Sequence, residues 1–250
     1  MPLDNIKIIL CDTTHTGNIG ACARAMKNMG LKNLILVSPR VTPDDHSLAL
    51  ASNARDIIDT AIICDNLDTA LYDVHFAVAL TARRREFSAH LQTPDELLDE
   101  IMPSVDSDLN IAFVFGAERT GLTIEQIEKC NKLVTIPGNP KYLSLNLAQA
   151  VQIICYEIYK KYLQLLDNDN KNDALAYLKN HDEKPSTIAD NQNILSHLYE
   201  MLDKTNYNFK NEEITKRKLQ QIINKAQLNR EEVGLIHGIL RNILLYTSLP

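Results

Sequence analysis

The sequence lacks the patterns that mark membrane-spanning, secreted and metal-binding proteins. No stretch of its 250 residues approaches the roughly 18 apolar residues of a membrane span, and residues 1–6 lack the basic start and apolar run of a signal peptide. The five cysteines are odd in number and widely spaced, so we expect buried reduced thiols rather than disulfides or a zinc site. These absences favour a globular cytoplasmic protein without a metal.

An excess of positive charge is also absent, because the formal net charge at pH 7 is -6. This balance argues against a general polyanion binder. Phosphate contacts depend on local rather than total charge, so a local basic face that recognises RNA stays open.

The first two thirds of the chain alternate between short apolar runs and helical patterns. This is typical of strands joined by crossover helices in a mostly parallel α/β sheet. We predict strands at residues 6–12, 33–39, 61–65, 75–82, 111–116 and 132–138. We predict helices at residues 18–29, 48–58, 94–102 and 124–130, and a long helix that begins at Ser144.

A change of composition predicts a second domain. Residues 167–190 are polar and charged and have little to bury, as in a linker. Apolar stripes beyond them predict three helices. We therefore expect an α/β domain at residues 1–166, a linker at 167–190 and a small helical domain at 191–250.

The stretch "HTGNIGACARAMKNMG", residues 15–30, resembles a nucleotide-binding turn but fails both common fingerprints. A dinucleotide site needs a glycine where Ile19 stands, and an acidic residue where the second strand ends in Ser38. A P-loop needs a Gly-Lys-Ser/Thr tripeptide, which the sequence lacks. Neither a nucleotide-dependent dehydrogenase nor a P-loop NTPase is favoured.

What remains is a helix with small residues in its first turns. Asn18 occupies a plausible N-cap position, Gly30 stands where the helix ends, and Arg24 projects from the second turn. A capped helix packed on a sheet explains this pattern, and a functional role for Asn18 and Arg24 is the alternative.

Two further stretches complete a known set of three. "TGNIGACARA", "VFGAERTGL" and "IPGNPKYLSLNLAQAVQIICYE" resemble, in order, motifs one, two and three of the SpoU (TrmH) family of RNA ribose methyltransferases. The likeness covers essentially the whole chain. The opening motif and the helical tail are most similar to the branch that methylates the ribose of a cytidine or uridine in the tRNA anticodon loop, at nucleotide 32.

The resemblance implies a SPOUT fold, in which a mostly parallel sheet ends in a deep trefoil knot. It also implies a homodimer that binds S-adenosylmethionine in the knot loops, with the tail supporting RNA binding or dimerisation. Periodicity alone favours an unknotted doubly wound sheet, because knots are very rare.

Matching the motifs residue by residue gives two sets of site residues. The catalytic set is Asn18, Arg24, Glu118, Ser144 and Asn146. The cofactor-binding set is Leu80, Thr81, Ala82, Gly116, Ile136, Leu143, Ser144 and Leu145. Leu80 and Leu143 depart from the family, which often has hydroxyl side chains there, so only their backbone groups are expected to bind.

Methylation of a ribose hydroxyl requires alignment, a more nucleophilic oxygen and a fixed neighbouring phosphate. We expect Arg24 to clamp the phosphate and stabilise the developing alkoxide, because a guanidinium with a pKa above about 12 is a poor base. Ser144 and Asn146 would bond the hydroxyl or orient Arg24, although Ser144 also suits a helix N-cap. Glu118 would anchor the motif loops or pair with Arg24.

Arg83, Arg84 and Arg85 directly follow a predicted strand beside the cofactor loop. At that edge we expect them to meet tRNA phosphates, although a solvated loop is the ordinary interpretation of such a cluster. Two other functions stay open: the same chemistry on ribosomal RNA, and a catalytically silent RNA-binding protein on the same fold.

Overall fold

The computed structural model describes residues 2–82, 91–102, 108–169, 185–205, 207, 209 and 211–247. Its strands are β1 Ile6–Cys11, β2 Asn33–Val37, β3 Ile62–Cys64, β4 Phe76–Leu80, β5 Leu91–Gln92, β6 Ile111–Phe115 and β7 Lys132–Val134. They form one sheet in the order β3-β2-β1-β6-β4-β7-β5, and every recorded pairing is parallel. The predicted parallel α/β sheet is confirmed.

Ten helices of varied length connect and follow these strands in the part of the chain described. They are α1 Thr16–Asn28, α2 Asp45–Ala51, α3 Arg55–Asp59, α4 Leu67–Leu71, α5 Pro94–Ile101, α6 Ile124–Glu128, α7 Leu147–Asp169, α8 Ile188–Lys204, α9 Glu212–Ala226 and α10 Arg230–Thr247. Short 3-10 turns lie at Pro2–Asn5 and Ser52–Ala54. None of the described helices is long and apolar enough to cross a bilayer.

Sequence patterns missed two of these elements and joined two others. Strand β5 has only two residues, and α4 has five, so neither shows a period. The single helix predicted at residues 48–58 is wrong, because Ser52 has a positive φ of 53° and separates α2 from α3. Strand side chains are buried on both faces of the sheet, as expected for a parallel sheet covered by helices.

Local chemistry fixes both ends of α1. The His15 side chain accepts a hydrogen bond from the Gly17 N–H and so caps the helix start. At the other end Gly30 has a φ of +71°, and its N–H donates to the Lys27 carbonyl while the Leu31 N–H donates to that of Met26. These two bonds form a Schellman motif, as the glycine predicts.

The C-terminal helices have their own small core and also contact the α/β part. Their core contains Ile194, Leu228, Val233 and Leu240. Ile188, at the start of α8, is buried in the cluster on one face of the sheet. The Arg217 side chain of α9 forms an ion pair with Glu128 at the end of α6, at 2.7 Å. The division into two domains with a linker stays a prediction.

Candidate functional site

An open pocket lies where β4, β6 and β7 end, closed on one side by the loop before α7. The space inside it, counted together with the solvent at its open side, is about 860 Å³. All eight residues of the predicted cofactor set line it: Leu80, Thr81, Ala82, Gly116, Ile136, Leu143, Ser144 and Leu145. Carboxyl ends of parallel strands are the usual ligand-binding edge of such sheets.

Other lining residues were not selected from the sequence. They include Ala117, Arg119, Thr120 and Leu122 after β6, and Leu147 and Ala150 on α7. Leu147 and Ala150 stand at helical spacing and look like ordinary core residues in the sequence. The residues after β6 lie inside the second motif, so the motif could have predicted that they line the pocket.

The turn from Ala117 to Gly121 forms one wall of this pocket. Its ends are joined by a hydrogen bond of 2.8 Å from the Gly121 N–H to the Ala117 carbonyl. The chain of the turn passes so close to Gly116 that a Cβ there would lie 2.1 Å from backbone atoms of Gly121 and Leu122. Only glycine fits at position 116, and this close approach holds the turn over the end of β6.

Glu118 links this turn to the first motif. Its carboxylate accepts hydrogen bonds from the Thr14 N–H at 3.1 Å, the Thr14 hydroxyl at 2.7 Å and the Asn18 amide at 2.9 Å. The Asn18 Oδ1 in turn accepts a bond of 3.2 Å from the Asn146 amide. One hydrogen-bonded network, the Glu118 network, therefore joins all three motifs through Thr14, Asn18, Glu118 and Asn146.

Hydrogen bonding sets the charge state of Glu118. Partial burial raises the pKa of its carboxyl group, but the bonds from Asn18 and Thr14 outweigh burial and leave the pKa below its ordinary value. Glu118 is therefore a stable carboxylate at neutral pH. A group held in this way orients its neighbours and is poorly suited to take up a proton.

Two predicted caps are wrong in position. Helix α1 begins two residues earlier than predicted, so His15 caps it and Asn18 lies in its first turn, where the Asn18 amide serves the Glu118 network. Helix α7 begins at Leu147 rather than Ser144, and the Asn146 Oδ1 accepts the Ala148 N–H at 2.9 Å. Ser144 is left exposed in the loop, where it lines the pocket.

Arg24 lies apart from this network. Its side chain is exposed on α1, and within the described residues it makes no hydrogen bond or ion pair. Of the two arrangements left open for Glu118, the structure shows the one that anchors the motif loops. The predicted basic cluster Arg83, Arg84 and Arg85 lies outside the described residues.

The cysteines are free and buried, as predicted. Burial raises the pKa of the Cys11 and Cys155 thiols to about 12, so both are neutral and unreactive at neutral pH. Across the described ranges no group of three or more histidine, cysteine, aspartate or glutamate residues is placed to hold a metal ion.

A parallel α/β sheet with a small-molecule pocket at its carboxyl edge, bordered by a network that joins three motifs, defines a class of RNA methylases with the SPOUT fold. The chain belongs to the SpoU rRNA Methylase family, whose sequence model matches residues 5–156.

Similar proteins extend the match over almost the whole chain. The chain is 39% identical over 245 residues to tRNA (cytidine/uridine-2'-O-)-methyltransferase TrmJ of Photorhabdus laumondii, covering 96% of this chain and 97% of that protein. It is 38% identical over 244 residues to the TrmJ of Salmonella typhimurium, with 96% and 97% covered. The crystal structure of TrmJ from Z. mobilis ZM4 matches with a TM-score of 0.79 and 30% identity, covering 95% of this chain and 98% of that one.

Proposed function

We propose that this protein methylates the ribose 2′-hydroxyl of a cytidine or uridine in tRNA, at nucleotide 32 of the anticodon loop, with S-adenosylmethionine as methyl donor. The observation that carries the proposal is the pocket at the ends of β4, β6 and β7, which brings together all eight residues of the expected cofactor set. The substrate rests on the TrmJ relatives, which match along nearly the full chain.

The pocket suits a cofactor with a nucleoside and an amino acid. Leu80, Ile136 and Leu143 offer apolar surface to a flat base, and the strand ends offer backbone groups for hydrogen bonds. The side-chain hydroxyls of Thr81 and Ser144 add polar groups to the wall. When bound, S-adenosylmethionine would supply a methyl group on a positively charged sulfur. The leucines at positions 80 and 143 leave this fit intact, because the backbone groups there are unaffected.

The protein's own residues would then prepare the ribose oxygen. Arg24 would hold the neighbouring phosphate and stabilise negative charge on the oxygen. Ser144 and Asn146 would hydrogen-bond the hydroxyl. The Asn146 Oδ1 accepts a bond from the Ala148 N–H at the start of α7, and one side-chain N–H of Asn146 donates to Asn18. The second side-chain N–H of Asn146 would therefore donate to the substrate.

Three broader features belong to the same proposal. We infer a trefoil knot in the C-terminal part of the sheet domain, a homodimer and a helical tail at residues 191–250 that supports RNA binding, all as in the family resemblance. Arg83, Arg84 and Arg85 would contact tRNA phosphates beside the cofactor loop. A cytoplasmic location is consistent with tRNA as the substrate.

The test is nucleoside mass spectrometry of total tRNA lacking ribose methylation, incubated with the full chain and labelled S-adenosylmethionine. We expect labelled 2′-O-methylcytidine or 2′-O-methyluridine, and cleavage of the tRNA into fragments should place the label at nucleotide 32. Ribosomal RNA serves as the parallel substrate, and label found there alone would favour the rRNA alternative.

Calorimetric titration with S-adenosylmethionine separates an enzyme from a silent RNA-binding protein. Absence of cofactor binding, with tRNA present or not, would contradict the proposal.

A further inference from the structure

The basic residues of the α/β part of the chain fall into two groups. Between residues 2 and 169, nearly all described lysine and arginine side chains form ion pairs with carboxylates, such as Lys7 with Asp73 and Lys32 with Asp4. In that part of the chain the described side chains of Arg24, Arg119 and Lys141 alone lack such a pair. All three are exposed.

The unpaired cations are not scattered. Arg24 lies on α1 in the first motif, Arg119 in the turn after β6 in the second, and Lys141 in the loop before α7 in the third. The Glu118 network ties these three segments together through Asn18 and Asn146. Each segment that borders the candidate site thus carries one cation that forms no ion pair with a described carboxylate.

The backbone around Arg119 is fixed, while its side chain makes no hydrogen bond or ion pair with the residues that the structure describes. The bond between Gly121 and Ala117 closes the turn, and the backbone packs against Gly116. The neighbouring Glu118 forms no ion pair with the guanidinium, and its oxygens instead accept bonds from Thr14 and Asn18. The turn therefore presents Arg119 in a defined place at the pocket wall.

The loop that carries Lys141 is also ordered by local bonds. The Asn139 Oδ1 accepts the Lys141 N–H at 3.0 Å, and the Asn139 carbonyl accepts the Tyr142 N–H at 2.8 Å. The Lys141 ammonium group extends into solvent from this turn. Two residues further on, Leu143 lines the pocket.

We propose that Arg119 and Lys141 bind backbone phosphates of the RNA on either side of the target nucleotide, in addition to the phosphate held by Arg24. This inference rests on the proposed function. A chain with a net charge of -6 repels a polyanion overall, so attraction must come from local cations, and in the described part of residues 2–169 these three are the ones without an ion pair. A cofactor with a single carboxylate cannot occupy three separate cations, whereas an RNA strand offers a phosphate at every nucleotide.

The experiment measures tRNA binding by fluorescence anisotropy at several salt concentrations, with the full chain. Arg119→Ala and Lys141→Ala are each expected to raise the Kd about fivefold at about 0.1 M salt and to lower the slope of log K against log salt by about 0.7–1. Arg119→Lys and Lys141→Arg keep the charge and should keep the slope. Lys32→Ala is the matched control, because Lys32 is exposed and paired with Asp4.

The Kd for S-adenosylmethionine, measured by calorimetry, should stay within twofold in every variant. An unchanged salt slope in both alanine variants would overturn the proposal. A weaker cofactor Kd with unchanged tRNA binding in Arg119→Ala would assign Arg119 to the cofactor carboxylate instead, which also overturns it. If the unaltered protein binds and methylates tRNA, but Arg119→Ala and Lys141→Ala leave the slope of log K against log salt unchanged, only this inference fails. If it binds no tRNA at all, the proposed function fails as well.

Discussion

At the scale of single residues, the site depends on which partner each polar group has already taken. The two oxygens of Glu118 accept hydrogen bonds from Thr14 and Asn18. The Asn18 amide nitrogen donates to Glu118, and its oxygen accepts a bond from Asn146. Glu118 therefore acts through Asn18 on Asn146 rather than by touching a substrate. We interpret it as a positioning residue.

Glu118→Gln tests this interpretation. The glutamine has one oxygen where the carboxylate has two and carries no charge, so the Thr14 and Asn18 bonds cannot all persist. Loss of charge-assisted bonds worth about 1.5–3 kcal/mol predicts a fall of about 10–100-fold in kcat/KM for tRNA methylation. The matched control is Glu125→Gln on α6, because Glu125 is exposed and pairs only loosely with Lys129, at 3.3 Å. Equal activity of the two variants would contradict a positioning role.

The direction of the Glu118 pKa adds a pH signature. Because the folded pKa lies below the ordinary value, the Glu118 network stabilises the protein above the unfolded pKa of about 4.3. This stability is lost as the pH falls through the folded pKa. The stability difference between the unaltered protein and Glu118→Gln should therefore shrink on acidification.

At the scale of elements, α1 is positioned by what packs against it. A Cβ at Gly20 would lie 2.0 Å from the Ser47 carbonyl oxygen on α2, so the absence of a side chain lets the two helices touch through their backbones. Ser47 is buried and belongs to a capping box with Asp44, which leaves α2 little freedom to retreat. The sequence shows a small residue here but not which helix approaches it.

Gly20→Ala is therefore expected to destabilise the protein by about 2–3 kcal/mol through overpacking, or about 5–10 °C in thermal midpoint. The control is Gly238→Ala in α10, where no described atom beyond the neighbouring helix backbone lies within 4 Å of the added Cβ. There the removal of a helical glycine should stabilise by about 0.5–1 kcal/mol. Thermal unfolding, followed by circular dichroism, measures the thermal midpoint of both variants. A Gly20→Ala variant with an unchanged midpoint would contradict the close contact between α1 and α2.

Features of single elements could be predicted from the sequence, whereas contacts between distant elements could not. Strand positions, the glycine at the end of α1 and the cofactor set follow from local patterns and motifs, because they depend on neighbours in sequence. The partner of Asn18 does not, since Glu118 is 100 residues away and Asn146 is 128 away. Thr14 was missed for the same reason. The N-caps of α1 and α7 were predicted at Asn18 and Ser144, whereas the capping bonds are accepted by His15 and Asn146, which are also suitable side chains nearby in the sequence.

At the scale of the whole molecule, polar contacts join the C-terminal helices α8 and α9 to the α/β part of the chain at several places, two of which involve α9 and the residue that follows it. Arg217 and Gln220 of α9 bond to the Glu128 side chain and carbonyl respectively, at the end of α6. Gln227, just after α9, donates to Glu100 on α5 at 2.9 Å. Helix α6 follows the second motif directly, so the first of these contacts places the tail one short helix away from the Glu118 turn.

Glu100 provides the pH test of this docking. Burial alone would raise the pKa of its carboxyl group, but Lys132, Gln92 and Gln227 all donate to it and lower the pKa to about 2. The carboxylate therefore stabilises the folded chain above the unfolded pKa of about 4.3, and this contribution disappears as the pH falls from there to about 2. Since Glu100 is partly exposed, we expect about 1–2 kcal/mol rather than the full value of the shift.

Glu100→Gln should thus lower stability to denaturant at pH 7 by about 1–2 kcal/mol and by much less near pH 2.5, because most of the carboxylate's contribution is lost between its unfolded pKa of about 4.3 and its folded pKa of about 2. Asp99→Asn is the matched control on the same helix, because Asp99 is exposed and pairs with Lys161 of α7 rather than with a C-terminal helix. If Gln227 contributes to the docking, Gln227→Ala should reproduce part of the loss at pH 7 and none in the Glu100→Gln background. Additive losses in the double variant would show that the two side chains act independently.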